Sequence, residues 1–333
     1  MKVACLRGEG LDSIVIEDRA VPEPGPGEVR VRVRACSLNY HDLAVVMGMI
    51  PTDAGRVLLS DGAGEIEAVG EGVTRWAVGD RVMSLFFPNW QSGTPELPSL
   101  LGVPGDHEDG FAADAVCVPE NGLTRMPDGL DYVQAATLPC AALTAWRALF
   151  VERTTRPGDT VLVQGSGGVS LFALQLARAA GATVIATSSS DEKRERLEAL
   201  GAAHTLNYRD TPAWGAAVRE LTGGRGVDAV VEIGGPGTLS ESITACRIGA
   251  DIALIGVLTG VSGEVPTARL FQSNITLSGI TVGSAEHQDA LVRAVETNGL
   301  QPEISDRFAL GDLAAAFAHQ AGGRHFGKIV VEL

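Results

Sequence analysis

Apolar and polar positions follow two different rhythms along this chain. Over residues 29–35, Val29, Val31, Val33 and Ala35 alternate with Arg30, Arg32 and Arg34, the period-two pattern of a strand with one solvated face. Turn chemistry at residues 22–27, Asp61-Gly62, Gly70-Glu-Gly72 and Gly79-Asp80 cuts the first 125 residues into short strands. From about Asp131 the texture changes. Short apolar runs at 161–164, 183–187, 205–207, 228–233 and 251–256, with a further strand before Gly283, alternate with helical patterns such as 213–221. That alternation predicts an α/β fold with a doubly wound parallel sheet. A helix at 313–320 and a strand at 328–332 are too short to form a domain and are expected to fold back onto the first region.

The stretch from Thr160 to Lys193 carries the clearest chemistry. A buried-strand run leads into Gly165, Ser166, Gly167, Gly168 and Val169, and then a helical pattern through Leu171, Leu174 and Leu176 ends at Gly181. Strand, glycine turn, helix and second strand within about thirty residues is the context in which a glycine pattern reads as dinucleotide-binding. Glycines let the backbone approach a pyrophosphate, whose charge then meets the open amides of the helix N-terminus. The third glycine of G-x-G-x-x-G is replaced by Ser170, small enough for the same packing. A βαβ turn that binds no nucleotide is the bland alternative.

The end of the second strand selects the nucleotide. Where an NAD site carries a carboxylate for the ribose 2′-hydroxyl, this chain has Thr187, Ser188, Ser189, Ser190 and then Lys193. Hydroxyls and a cation suit a 2′-phosphate, so NADP(H) is expected over NAD(H). Asp191 and Glu192 fit the first turn of the next helix, with Ser189 and Glu192 spaced as a capping box; the bland alternative is that the serines serve only that cap.

A length of 333 residues predicts two domains, placed at 1–125 (completed by 286–333) and 126–285. A net charge of −15 without a basic cluster argues against nucleic acid and anionic membrane surfaces as partners. No apolar run is long enough to span a bilayer, and the N-terminus has charge where a signal peptide needs an apolar core. The five cysteines are scattered, and a reducing cytoplasm is the expected compartment.

Several ordered motifs are similar to those of the medium-chain dehydrogenase/reductases, which include the zinc alcohol dehydrogenases and quinone oxidoreductases. They are Asn39-Tyr-His-Asp42, Gly62-Ala-Gly-Glu65, Ala68-Val-Gly-Glu-Gly-Val73, Gly79-Asp-Arg-Val82, the segment from Leu138 to Trp146, Pro157-Gly-Asp159, Gly223-Gly-Arg-Gly-Val-Asp228 and Phe326-Gly-Lys-Ile329. The resemblance covers nearly the whole chain. It implies a GroES-like β domain, completed by the C-terminal tail, facing a Rossmann domain, with the active site in the cleft between them. It also implies a homodimer joined through the last sheet strand near 275–282.

Departures from that family matter most. Its zinc branch ligates the catalytic metal through an early Cys, a Gly-His-Glu and a later Cys. Here those positions read Asn39, Leu59-Ser60-Asp61 and Cys140, and no cysteine lies between Cys36 and Cys117 for the structural lobe. No metal is therefore expected, since zinc wants three protein ligands. Without a Lewis acid nothing lowers the pKa of an alcohol, and the resemblance points to the zinc-free reductases of quinones and conjugated alkenes. A small hydrophobic conjugated carbonyl or quinone is the expected substrate. Alternatives are a biosynthetic reductase in which hydride addition triggers ring closure, a ketone reductase, and a low-turnover NADPH sensor.

By matching position, the resemblance implies that Asn39 and Thr144 contact the nicotinamide or ribose. Tyr40 is the candidate to steady or protonate an enolate, with a stacked wall as the alternative; His41 stands behind it as catalyst or structural hydrogen-bonder, and Asp42 orients the loop. Tyr208 falls near the adenosine phosphate, while Gly234, Gly235, Gly256, Val282 and Gly283 line strand ends along the cofactor's later half. Lys328 reaches the cofactor from the tail or is a strand-edge charge, and Cys140 is a packed thiol. Residues 86–110 have a loop's composition, and Phe86, Phe87, Trp90 and Leu101 are expected either to cover a hydrophobic substrate pocket as a lid or to anchor the loop. His107 and Glu108 read as solvated.

Overall fold

The computed structural model describes residues 1–333, which divide into two compact units. The first comprises residues 1–143 and 282–333, the second residues 144–281. The expected boundaries therefore move: residues 126–143 belong to the first unit. Hydrogen bonds hold them there, since the Met126 N–H donates to the Arg81 carbonyl and the Arg81 guanidinium donates to the Leu130 carbonyl at 2.6 Å.

In the first unit the strand Glu28–Ser37 is the hub. It pairs antiparallel with Asp61–Val69, Ala115–Pro119 and the tail strand Lys328–Glu332. Its valines are buried while Arg32 is exposed and Arg30 pairs with Glu67 at 2.7 Å, so the alternation is that of a one-sided strand until the tail covers residues 35–37. The sheet runs Ile304–Ala309, Lys328–Glu332, Glu28–Ser37, Asp61–Val69, Arg81–Ser84, Leu123–Arg125. Val31, Val33, Ile66, Val82, Phe111, Phe317 and Ile329 form its core, each contributing on the order of 1.5–3 kcal/mol by leaving water.

The second unit is a six-stranded parallel sheet. Its order is His204–Asn207, Thr183–Ser188, Thr160–Gln164, Val227–Glu232, Cys246–Leu254, Thr276–Gly279. The first strand in sequence thus lies in the middle and the order reverses beside it, the doubly wound arrangement the alternation predicts. The helix Gly168–Ala179 buries Leu171, Leu174 and Leu176. Cys246–Leu254 starts five residues before the apolar run at 251, because Arg247 and Gly249 interrupt the hydrophobic pattern and the register shifts there. No helix is long and apolar enough to cross a membrane.

Candidate functional site

In the second unit, the strand Thr160–Gln164 ends at Gly165, whose φ of +70° lies in the region glycine tolerates. The Gly165 N–H donates to the Thr187 carbonyl at 2.8 Å, tying the turn to the second strand. The helix begins at Gly168 with Gly167 as its N-cap, and no side chain caps it, so its first-turn amides are open to an anion. Ser170 keeps its place by bonding: its hydroxyl donates to the Gln164 carbonyl at 2.6 Å.

Glu232, buried at the end of its strand, organises the next turn. Its carboxylate accepts from Gln164 Nε2 at 2.7 Å, from the Gly234 and Gly235 N–H groups at 2.8 and 3.0 Å, from Thr238 Oγ1 at 2.6 Å and from Ser242 Oγ. Gly256 lies against this turn so closely that an added Cβ would sit 2.0 Å from the Ile233 carbonyl oxygen. Sequence reasoning names the glycines and misses Gln164 and Glu232. The available signal was a carboxylate at the end of the apolar run Val-Asp-Ala-Val-Val-Glu.

Ser190, not Ser189, caps the helix Asp191–Ala199, accepting from the Lys193 N–H at 3.3 Å, so the N-cap lies one residue later than expected and the capping box of Ser189 with Glu192 does not form. Ser188 is buried and its carbonyl accepts from the Tyr208 N–H at 3.0 Å, which brings Tyr208 beside the serines. Partial burial lowers the Lys193 pKa, and the like charges of Arg196 and Arg209 lower it further. Thr144 is buried in the turn Leu143–Trp146.

The first unit holds a buried polar cluster at Asn39. Its backbone N–H donates to Asp42 Oδ2 at 2.8 Å, and Asp42 Oδ1 accepts from the Ser60 N–H at 2.9 Å. The Asn39 carboxamide is 6% exposed and turned inward: Nδ2 donates to Ser60 Oγ at 3.1 Å and Oδ1 accepts from Lys328 Nζ at 2.6 Å. Lys328 is therefore no strand-edge charge, and it too is turned into the cluster. Asp61, fully enclosed, accepts from Ser37 Oγ at 3.1 Å through Oδ2, while its Oδ1 has no hydrogen-bond partner. Burial pushes its carboxyl up to about 6, against the pull of the Lys328 ammonium. Burial also raises Asp42.

Tyr40 opens the helix Tyr40–Val46 and is 46% exposed between the buried Asn39 and the partly buried His41. His41 Nε2 lies 3.0 Å from Asp106 Oδ2, an ion-pair distance without a hydrogen bond's alignment, and His107 closes on the other Asp106 oxygen. Burial pulls the His41 pKa down, but Asp106 with Asp42 and Asp61 outweighs it and the net shift is upward. His107 is thus not a merely solvated loop residue.

Phe86, Phe87 and Trp90 do not form a lid. All three are buried, with Phe86 edge-on to Phe87 at 4.9 Å, Phe87 6.3 Å from Trp90, and Trp90 edge-on to His287 at 5.6 Å. The Ala285 N–H donates to the Trp90 carbonyl at 2.9 Å, so this ladder anchors the loop to its own unit. Val282 and Gly283 lie beyond the last strand of the parallel sheet and cluster with the first unit; Gly283 packs on Leu143, 2.9 Å from where its Cβ would be.

Comparison with known proteins settles the family. Residues 25–128 match the alcohol dehydrogenase GroES-like domain, and residues 168–297 match the zinc-binding dehydrogenase domain. A zinc-type alcohol dehydrogenase-like protein of Schizosaccharomyces pombe is 39% identical, covering 97% of this chain and 96% of its own. The chain belongs to the medium-chain dehydrogenase/reductases. Two further members are a 2-haloacrylate reductase of Burkholderia sp at 31% and a quinone oxidoreductase of Pseudomonas aeruginosa at 32%, each covering 97% of this chain and 96% of its own. A solved structure of an NAD-dependent alcohol dehydrogenase superposes with a TM-score of 0.93 at 36% identity, covering all of both chains. This member of the family is an oxidoreductase with a GroES-like domain and a Rossmann domain.

The name of the second domain implies zinc, and the residues here do not fit it. Asn39, which by the resemblance replaces a cysteine ligand, already has its oxygen on the Lys328 ammonium, and a metal there would have to displace a buried cation. No group of three or more His, Cys, Asp or Glu side chains is placed to hold a metal ion. A nicotinamide dinucleotide fits the turn: the open amides after Gly167 suit its pyrophosphate.

Proposed function

We propose that this protein is a zinc-independent, NADPH-dependent reductase of an activated carbon–carbon double bond or a quinone. The observation that carries the reading is the buried ammonium of Lys328 on Asn39 Oδ1, a fixed cation on the residue that, by the resemblance, replaces the early cysteine ligand of the zinc branch. The names of the 2-haloacrylate reductase and quinone oxidoreductase relatives support the same class.

The amides of Gly168 and Val169 and the turn at Gly165 and Ser166 would hold the pyrophosphate. Ser188, Ser189, Ser190, Lys193 and Tyr208 would hold the adenosine end, where the mutual repulsion of Lys193 and Arg209 favours an added 2′-phosphate. The turn at Gly234, Gly235 and Gly256 would run along the later half of the cofactor, and Thr144 would bond to it. When bound, NADPH supplies the hydride. The chain's own part is to place a conjugated carbonyl compound and to keep a proton at Tyr40 Oη, whose hydrogen bond steadies the developing enolate oxygen. His41 takes a supporting place beside it. The substrate is a small hydrophobic molecule.

A fluorescence titration of purified protein with NADPH and NADH, repeated on the Ser189→Ala/Lys193→Ala variant, tests the cofactor. NADPH should weaken about tenfold or more and NADH by much less. Equal losses would remove the 2′-phosphate assignment. A screen of quinones and enones, following NADPH oxidation at saturating cofactor, tests the reaction, and turnover of simple alcohols alone would overturn it. The protein is also proposed to be a homodimer through the edge strand Thr276–Gly279, which has a partner on one side only; a monomer by light scattering would contradict this.

A further inference from the structure

Lys2, Lys193 and Lys328 are the only lysines in a chain whose other cations are arginines. Lys328 alone is enclosed, at 4% exposure. Its ammonium donates to the Leu38 carbonyl at 2.7 Å and to Asn39 Oδ1 at 2.6 Å, and both acceptors immediately precede the helix that begins at Tyr40.

A carboxamide has one accepting and one donating end. With the ammonium on Oδ1, Nδ2 must face the other way, toward Ser60 Oγ at 3.1 Å. The backbone N–H of Asn39 is fixed independently by Asp42 Oδ2. Both ends of the side chain and the main chain of Asn39 are therefore held, and the next residue projects from a fixed base. The Asn39 side chain also faces the first-turn backbone at Asp42 as the other half of a capping box, so the same carboxamide joins the ammonium to the start of the helix.

We propose that Lys328 is a positioning residue for Tyr40: from the last strand of the chain it locks Asn39, and through Asn39 the start of the helix that carries the Tyr40 hydroxyl. This rests on Tyr40 as the proton-holding group of the proposed reductase. It differs from a direct cofactor contact by Lys328, because both oxygens on its ammonium belong to the protein itself.

The test uses the full chain labelled with 3-fluorotyrosine, in which Tyr40, Tyr132 and Tyr208 are the only tyrosines. Tyr40→Phe assigns the resonance. In Lys328→Met the Tyr40 signal should shift or broaden while those of Tyr132 and Tyr208 stay in place, and the Kd for NADPH should stay within about twofold. The kcat for an enone or quinone should fall roughly a hundredfold with little change in substrate KM. Asn39→Ala should do the same, and the double variant should be no worse than either single one. An unmoved Tyr40 resonance overturns the proposal, and so does a tenfold or greater loss of NADPH affinity. If Lys328→Met does not fold, Lys328→Met/Asp61→Asn removes the carboxyl left facing no cation, and the same resonances are read there. If the unaltered protein turns over none of these substrates, the proposed reaction fails, while the resonance and binding measurements still decide whether Lys328 fixes Tyr40.

Discussion

The Ser170 hydroxyl donates to the Gln164 carbonyl at 2.6 Å, joining the start of the glycine-turn helix to the end of the strand before it. A glycine at this position would allow close packing alone; the serine adds a bond that closes the turn. Ser170→Ala should cost about 1 kcal/mol by urea unfolding, the net value of one hydrogen bond, and Ser170→Gly about 1 kcal/mol more from backbone freedom. NADPH affinity should change little in either.

Glu232 is more exposed to failure. Glu232→Gln keeps one oxygen for the Gly234 and Gly235 amides but turns an NH2 toward Gln164 Nε2, donor against donor. Unfolding free energy should drop by about 2 kcal/mol, and NADPH should bind several-fold more weakly because the glycine turn loosens. Unchanged affinity with lowered stability would confine Glu232 to the fold.

Removing the charge of Asp106 tests the His41 pair. Asp106→Asn should lower the His41 pKa, followed by 15N-histidine NMR, leaving Asp42 and Asp61 as the remaining carboxyls acting on the ring. Because the pKa of folded His41 is raised, the stabilisation from its charge is complete below the ordinary value of 6.5 and is lost as pH rises through the folded value. The stability gap between the native protein and Asp106→Asn should therefore be widest in mild acid and narrow above neutrality.

Asp61 gives the opposite practical lesson. Its carboxyl is raised from 3.8 to about 6, so the fold favours the protonated form and loses stability as pH climbs between those values, by something on the order of 3 kcal/mol. Asp61→Asn should flatten that slope in urea titrations between pH 4 and 7 and be the more stable protein at neutral pH. An equal slope in both proteins would mean that Asp61 is ionised at no cost.

Local pattern carried much of this structure. The alternation at 29–35, the runs that became the parallel strands and the glycine turn are all set by neighbours a few residues apart, which is the range over which periodicity and turn chemistry speak. The cap shifted from Ser189 to Ser190 because either serine can cap the helix from the side that precedes Asp191, and the extended backbone at Ser190 decides between them against the Glu192 spacing. Gln164 with Glu232, separated by 68 residues, and Asn39 with Lys328, separated by 289, are joined by topology, and no pattern along the chain marks them as partners. Phe86, Phe87 and Trp90 misled for a related reason. Their surroundings read as loop, yet the helix from Ala285 sets His287 edge-on to Trp90, and Phe87 and Phe86 follow in series to His41.

The pairing of Lys328–Glu332 with Glu28–Ser37 has a consequence for synthesis on the ribosome. Residues 144–281 are contiguous and can close their sheet as soon as they emerge. The strands of residues 1–143, made earlier, must wait with an open edge until residues 328–332 have been released. The usual order, in which the first-made domain folds first, is therefore reversed here. Growing chains stalled before residue 328 should expose that edge to chaperones or to one another, and the strand Lys328–Glu332 acts as the clasp that ends this exposure.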